Sequence, residues 1–192
     1  MCDVSYGQTE RASANVTDDS EACPKVWYVA YTRVNYERKA QEYLRKLGYE
    51  VYVPIQKEMR QWSDRRKVVS RIVIPMVIFI HTNDVNVRQV ERLSFITQML
   101  HAPGEKKRAV IPDCQIMQFR DMLEHADSPV RVDNAEVKTG QRVRVLKGKL
   151  KGFEGVVSRC KDGKTSVSII LDYLGYASVS IDQSDLEIIS TS

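Results

Sequence analysis

Glycine spacing between residues 140 and 155 restricts the C-terminal part of the chain to short strands. In Gly140-Gln141-Arg142-Val143-Arg144-Val145-Leu146-Lys147-Gly148-Lys149-Leu150-Lys151-Gly152-Phe153-Glu154-Gly155-Val156-Val157, Val143 and Val145 alternate with arginines, the period of a half-buried strand. Gly148, Gly152 and Gly155 fall where the chain turns tightly and re-enters a sheet, and a helix across them would lose about 1 kcal/mol at each relative to alanine. Two further alternating runs, Thr165–Leu171 and Tyr176–Ile181, follow Lys161-Asp162-Gly163-Lys164 and Leu174-Gly175, and Leu186–Ile189 offers a closing strand. Five short strands over residues 137–189 predict a small closed barrel that holds its β form in the free protein.

The remaining length leaves room for one further domain of ordinary size. Residues 1–24 are rich in Ser, Thr, Asn, Asp and Glu, carry no hydrophobic period and are expected to be a disordered leader. They hold five acidic residues against Arg11, so with a whole-chain net charge of +4 the rest carries +8, which favours nucleic acid or another acidic surface as neighbour. Ile72–Ile80, the longest apolar run, is too short to span a bilayer, and no signal peptide is visible; a cytoplasmic monomer without a membrane contact is expected. Cys2, Cys23, Cys114 and Cys160 are scattered and never pair with His81, His101 or His125 at ligand spacing, which predicts free thiols and no metal site.

From Lys25 the pattern changes. Val26-Trp27-Tyr28-Val29-Ala30-Tyr31 reads as a central strand. A helix then opens on Asn35 as N-cap, with Tyr36, Ala40, Tyr43, Leu44 and Leu47 as its apolar stripe and Gly48 as its C-cap. After a strand at Tyr49–Ile55, Lys57–Arg71 places six basic and two acidic residues around Trp62 and predicts a projecting β-hairpin. Pro75 breaks the buried run 72–80, since it cannot donate to a ladder. A short helix over 84–92, a short strand over 96–101 and a helix from Ile111 with Ile116, Phe119, Met122 and Leu123 buried complete a domain at 25–125. Residues 126–136 are expected to be a linker on which the barrel tumbles independently.

This order of elements resembles the NusG family of transcription elongation factors, and the glycine run resembles the KOW motif that begins an SH3-like barrel. The resemblance rests on Trp27-Tyr28-Val29 with Tyr31, on Ile74-Pro75 followed by Val77-Ile78-Phe79-Ile80, and on the glycine pattern. It implies an α+β fold: an N-terminal α/β sandwich (the NGN domain, an antiparallel sheet with flanking helices) and a C-terminal KOW barrel. Ile74-Pro75-Met76-Val77 replaces the common Phe-Pro-Gly-Tyr, and Leu93-Ser94-Phe95-Ile96 stands where a Pro-Gly-Val turn is frequent. Both departures are similar to the specialised paralogues, among them the UpxY-like antiterminators of capsular polysaccharide operons in Bacteroides-type bacteria.

By the same resemblance, Tyr31, Ile74, Val77 and Phe79 would form an apolar dock, left open in the free protein, for the clamp helices of RNA polymerase; ordinary core packing is the competing reading. Arg33, Lys39 and Tyr43 would meet non-template DNA or nascent RNA, two cations for phosphate and an aromatic for stacking. Leu150, Phe153 and Leu174 would be the barrel's contacts to ribosomal protein or Rho, although Leu174 replaces a common Phe. Arg142, Arg144, Lys147, Lys149 and Lys151 form a basic run that suits RNA, which keeps a ribosomal RNA-binding protein as the alternative. No nucleophile stands in a strained turn and no glycine loop opens a helix, so neither catalysis nor a cofactor is expected.

Overall fold

The computed structural model describes residues 23–62, 64–133, 140–159 and 165–189. Most of the expected leader, Cys2, Cys160, residues 134–139 and the turn at 160–164 lie outside the described residues.

The N-terminal half is built on β1 (Val26–Thr32), α1 (Glu37–Lys46), β2 (Glu50–Tyr52), β3 (Ile55–Gln61), β4 (Arg66–Ile72), β5 (Val77–Thr82), α2 (Asp84–Glu91), β6 (Ile96–Met99), β7 (Val110–Ile111) and α3 (Asp113–His125). Strands β2, β5, β1 and β6 lie side by side, β7 pairs with the other end of β1, and every pairing is antiparallel. Because side chains alternate across a sheet, β1 sends Tyr28 and Ala30 to one face and Trp27 and Val29 to the other. The first face packs on Ala40 and Leu44 of α1 and on Val87 and Val90 of α2. The second packs on Ile116, Phe119 and Met122 of α3, where the Arg120 guanidinium lies 4.9 Å from the Trp27 ring and 4.6 Å from that of Tyr52. Burial pushes the Tyr52 hydroxyl well above the usual tyrosine range, an effect partly offset by Arg120. β3 and β4 form the expected hairpin, a separate two-stranded ribbon.

The C-terminal half departs from a closed five-stranded barrel. β8 (Arg131–Asp133), β9 (Arg142–Val145), β10 (Glu154–Arg159), β11 (Thr165–Leu171), β12 (Gly175–Ser180) and β13 (Leu186–Ile188) form a six-stranded antiparallel sheet in the order β13-β9-β10-β11-β12-β8. The two ends, β13 and β8, are not paired with each other, so the sheet stays open. Its extra strand comes from the segment read as a linker: Arg131, Val132 and Asp133 pair with Ser178, Ala177 and Tyr176.

In this structure the C-terminal half also packs against the N-terminal half. One apolar cluster runs from Trp27, Val29 and Phe79 through Ile116 and Phe119 to Val143, Val167, Ile169, Leu171 and Val179. The Asp172 amide donates to Gln115 Oε1 on α3 at 2.8 Å. Gln56, buried on β3, donates from Nε2 to the Ser128 carbonyl at 3.0 Å and accepts the Val130 amide at 2.8 Å, and Arg71 Nη2 donates to the Val130 carbonyl at 2.7 Å. Buried polar groups need partners, and here each partner spans the two halves. No helix of the described residues is long and apolar enough to cross a membrane.

Candidate functional site

Cross-strand pairing brings the four proposed dock residues together. Tyr31 on β1 faces Val77 on β5, and Val29 faces Phe79 two positions along, so the side chains of Tyr31, Val77 and Phe79 share one face of the sheet. Ile74 joins them from the bend before β5, where it packs on the same cluster. They differ in access. Tyr31 and Ile74 are half-buried, Val77 is buried, and Phe79 is 0% exposed beneath Tyr52 and Phe119, whose rings lie 5.8 and 6.4 Å away. Tyr31 and Ile74 are therefore surface, and Val77 and Phe79 support them from below.

The bend is held by Met76 and Glu37, which sequence reading did not assign to the dock. Met76 stands at φ 63, the left-handed region that side chains other than glycine rarely adopt. Its amide donates to Glu37 Oε1 at 2.7 Å and its carbonyl accepts the Thr32 amide at 2.7 Å. Glu37 is 3% exposed, although a carboxylate in the first turn of a helix reads as an exposed partner for the helix dipole. A buried acid facing a strained amide shows no sequence period, so only tertiary structure reveals this latch.

The α1 surface also differs from the expected stripe. Tyr36 is the N-cap, without a side-chain capping bond, and Asn35 takes φ 58 in the turn before it. The buried residues of α1 are Glu37, Ala40 and Leu44, whereas Tyr43 is 48% exposed and Leu47 also faces out. Phe95 lies between two tyrosines, stacked on Tyr36 at 5.5 Å and edge-on to Tyr43 at 5.4 Å. Lys39 Nζ sits 5.7 Å from the Tyr36 ring, and Arg33, exposed beside it, donates its amide to the Phe95 carbonyl at 3.1 Å. Arg33, Lys39 and Tyr43 are thus gathered around one aromatic platform, and neither cation has an ion-pair partner among the described residues. Phe95 was missed because a lone aromatic in a turn carries no period.

In the C-terminal half, Leu150, Phe153 and Leu174 are each 7% exposed and belong to the shared core. A cavity beside Leu150 is lined by His125 and Asp127 on one side and by Lys147, Val179 and Asp185 on the other, and Lys149 Nζ meets Asp127 Oδ1 at 2.5 Å. The basic run here is only partly paired, through exposed contacts. Arg142 and Arg144 reach Glu154 at 3.8 and 2.6 Å and Lys147 reaches Asp185 at 3.8 Å, leaving Lys151 without an acidic partner among the described residues. The described residues contain no group of three or more His, Cys, Asp or Glu placed to hold a metal ion.

Comparison with known proteins adds the family. The model of the family described as NusG, transcription termination factor nusG, matches residues 25–120, half of the chain. No curated protein sequence matches. Among solved structures, the chain is similar to NusG of Thermotoga maritima, from a study of its domain interaction, with 20% identity, a TM-score of 0.49, and coverage of 86% of this chain and 98% of that one. It is similar also to a chain of the MjSpt4:Spt5 complex in conformation A, at 12% identity and a TM-score of 0.27 over 86% of this chain and 99% of that one. For conformation B the values are 13% and 0.28, over 86% and 97%.

Proposed function

Because the chain belongs to the NusG family of transcription factors, we propose that it binds RNA polymerase through its N-terminal half and promotes elongation and antitermination at selected long operons, such as those for capsular polysaccharide. The observation that carries the reading is the apolar surface of Tyr31 and Ile74, backed by Val77 and Phe79 and held in shape by the Glu37 latch. Such a surface suits the polymerase clamp helices, because a small apolar contact over a rigid base buries area with little ordering cost. The α1 surface of Tyr36 and Tyr43, supported by the buried Phe95, with Arg33 and Lys39 would then face non-template DNA or nascent RNA. Phe95 lies in one of the two stretches that depart from the common family text, which supports a specialised, UpxY-like role.

On this reading the C-terminal sheet is a KOW-type module, and the protein works as a cytoplasmic monomer. Contact of Leu150, Phe153 and Leu174 with ribosomal protein or Rho requires their release from the shared core. Copurification of RNA polymerase with the full chain tests the main claim: Tyr31→Ala with Ile74→Ser should lose the polymerase while circular dichroism stays native. Undiminished copurification by the folded double variant would remove the dock assignment.

A further inference from the structure

The β3–β4 ribbon has a face that neither the dock nor the α1 platform uses. Strand pairing sets Met59 opposite Val68, Lys57 opposite Ser70 and Gln61 opposite Arg66, and alternation puts these six on one side. On the opposite side Gln56 and Arg71 hold the Ser128–Val130 segment. The first side carries two large apolar residues in the open, Met59 at 70% and Val68 at 57%, and Trp62, 59% exposed, stands at the ribbon's tip just beyond the paired strands. A merely solvated ribbon would carry polar side chains there, because exposed apolar groups in a row mark a contact surface.

Charge selects the kind of partner. Lys57 and Lys67 have no acidic partner among the described residues, and Arg66 only donates to Gln61 Oε1 at 3.1 Å. Arg65 meets Asp64 at 3.9 Å with both side chains largely exposed, a pair too solvated to cancel the local field. Glu58, the other acid of the ribbon, is bound by Arg71. Cations flanking an exposed indole and two aliphatic side chains match the chemistry of a single strand, whose phosphates meet the cations and whose unstacked bases cover the apolar groups. A duplex would use the cations and leave the indole uncovered.

We propose that the outer part of the ribbon, with Lys57, Met59, Arg66 and Val68 on one side and Trp62 at its tip, binds single-stranded nucleic acid without strong base preference, as a surface separate from the α1 platform. Arg38 of α1 reaches the Ser70 carbonyl at 3.4 Å, so the two surfaces adjoin at the base of the ribbon and one strand can lie across both.

The test is titration of the full chain with an oligothymidine of about 15 nucleotides, followed by indole fluorescence and by anisotropy of a labelled strand. Trp27 is buried, so quenching reports base stacking on Trp62. Wild-type protein should be quenched on binding; Trp62→Ala should bind about tenfold more weakly and Trp62→Phe should recover most of the loss. Arg66→Gln with Lys57→Gln should lower the slope of log affinity against log salt by about 1.4. Quenching should persist in Arg33→Ala with Lys39→Ala, which separates this surface from the α1 platform. Absent quenching, unchanged affinity in Trp62→Ala, or equal affinity for a duplex of the same length would each overturn the proposal.

Discussion

Glu37→Ala should lower the unfolding free energy by about 2 kcal/mol, with the loss confined to the bend that shapes the proposed dock. The carboxylate is 3% exposed and accepts the Met76 amide at 2.7 Å, and hydrogen bonds to charged groups contribute roughly 1.5–3 kcal/mol. Two effects hold the value near the middle of that range: alanine removes a buried charge, which is favourable, and frees Met76 to leave φ 63, a conformation costing on the order of 1 kcal/mol for a side chain other than glycine. All three α-helices of the described residues lie in the N-terminal half, so far-ultraviolet circular dichroism during urea unfolding follows the affected half. For a chain of this length the melting point should fall by about 4–8 °C. Met76→Gly in the otherwise wild-type chain should stabilise by about 1 kcal/mol, since glycine adopts that φ without steric cost, and by less in Glu37→Ala, where the strain is already relieved. A Glu37→Ala protein within about 0.5 kcal/mol of wild type, with the urea slope unchanged, would show that the latch contributes nothing.

Phe79→Ser should cost about 3–5 kcal/mol by thermal melting, because the ring is wholly buried against Tyr52 and Phe119, so lost polymerase binding in that variant would reflect unfolding. In Gln56→Leu the Val130 amide and Ser128 carbonyl lose their partner, which should cost about 2 kcal/mol and appear as faster hydrogen exchange at Val130. An alanine Cβ at Gly155 would meet Val167 Cγ1 at 2.5 Å and the Ser168 carbonyl oxygen at 2.8 Å; Gly155→Ala should therefore destabilise the C-terminal sheet by about 1–3 kcal/mol in a denaturant titration. Arg33→Ala with Lys39→Ala should leave polymerase copurification intact and reduce terminator read-through at the target operon, and equal read-through would show that the α1 cations are only solvated.

Strands were legible where one face of an alternating run is buried. Thr165–Leu171 is a strand over the whole expected range, and the hairpin around Trp62 forms where charge and turn residues placed it. Helix faces were harder to read, since Tyr43 and Leu47 fit the same spacing as Ala40 and Leu44, and spacing does not tell a core stripe from an outward platform. Val130 was hidden for a different reason: its burial depends on Gln56 and Arg71, which lie about 60 to 75 residues earlier in the chain. Sheet closure is likewise a matter of whether the two end strands meet, and no local pattern records it. Of the candidate site residues, Arg33, Lys39, Tyr43, Tyr31 and Ile74 reach the surface, whereas Val77, Phe79, Leu150, Phe153 and Leu174 lie in the interior.

An open sheet presents two rows of unpaired backbone groups, each a template on which a strand of another molecule could grow into a fibre. Among the described residues both outer strands are three residues long, β8 as Arg131-Val132-Asp133 and β13 as Leu186-Glu187-Ile188. Their shortness offers a passing strand few bonds, and Arg131, Asp133 and Glu187 force any added chain to accommodate charge. The sheet can thus remain open in a crowded solution without recruiting its own copies into aggregates.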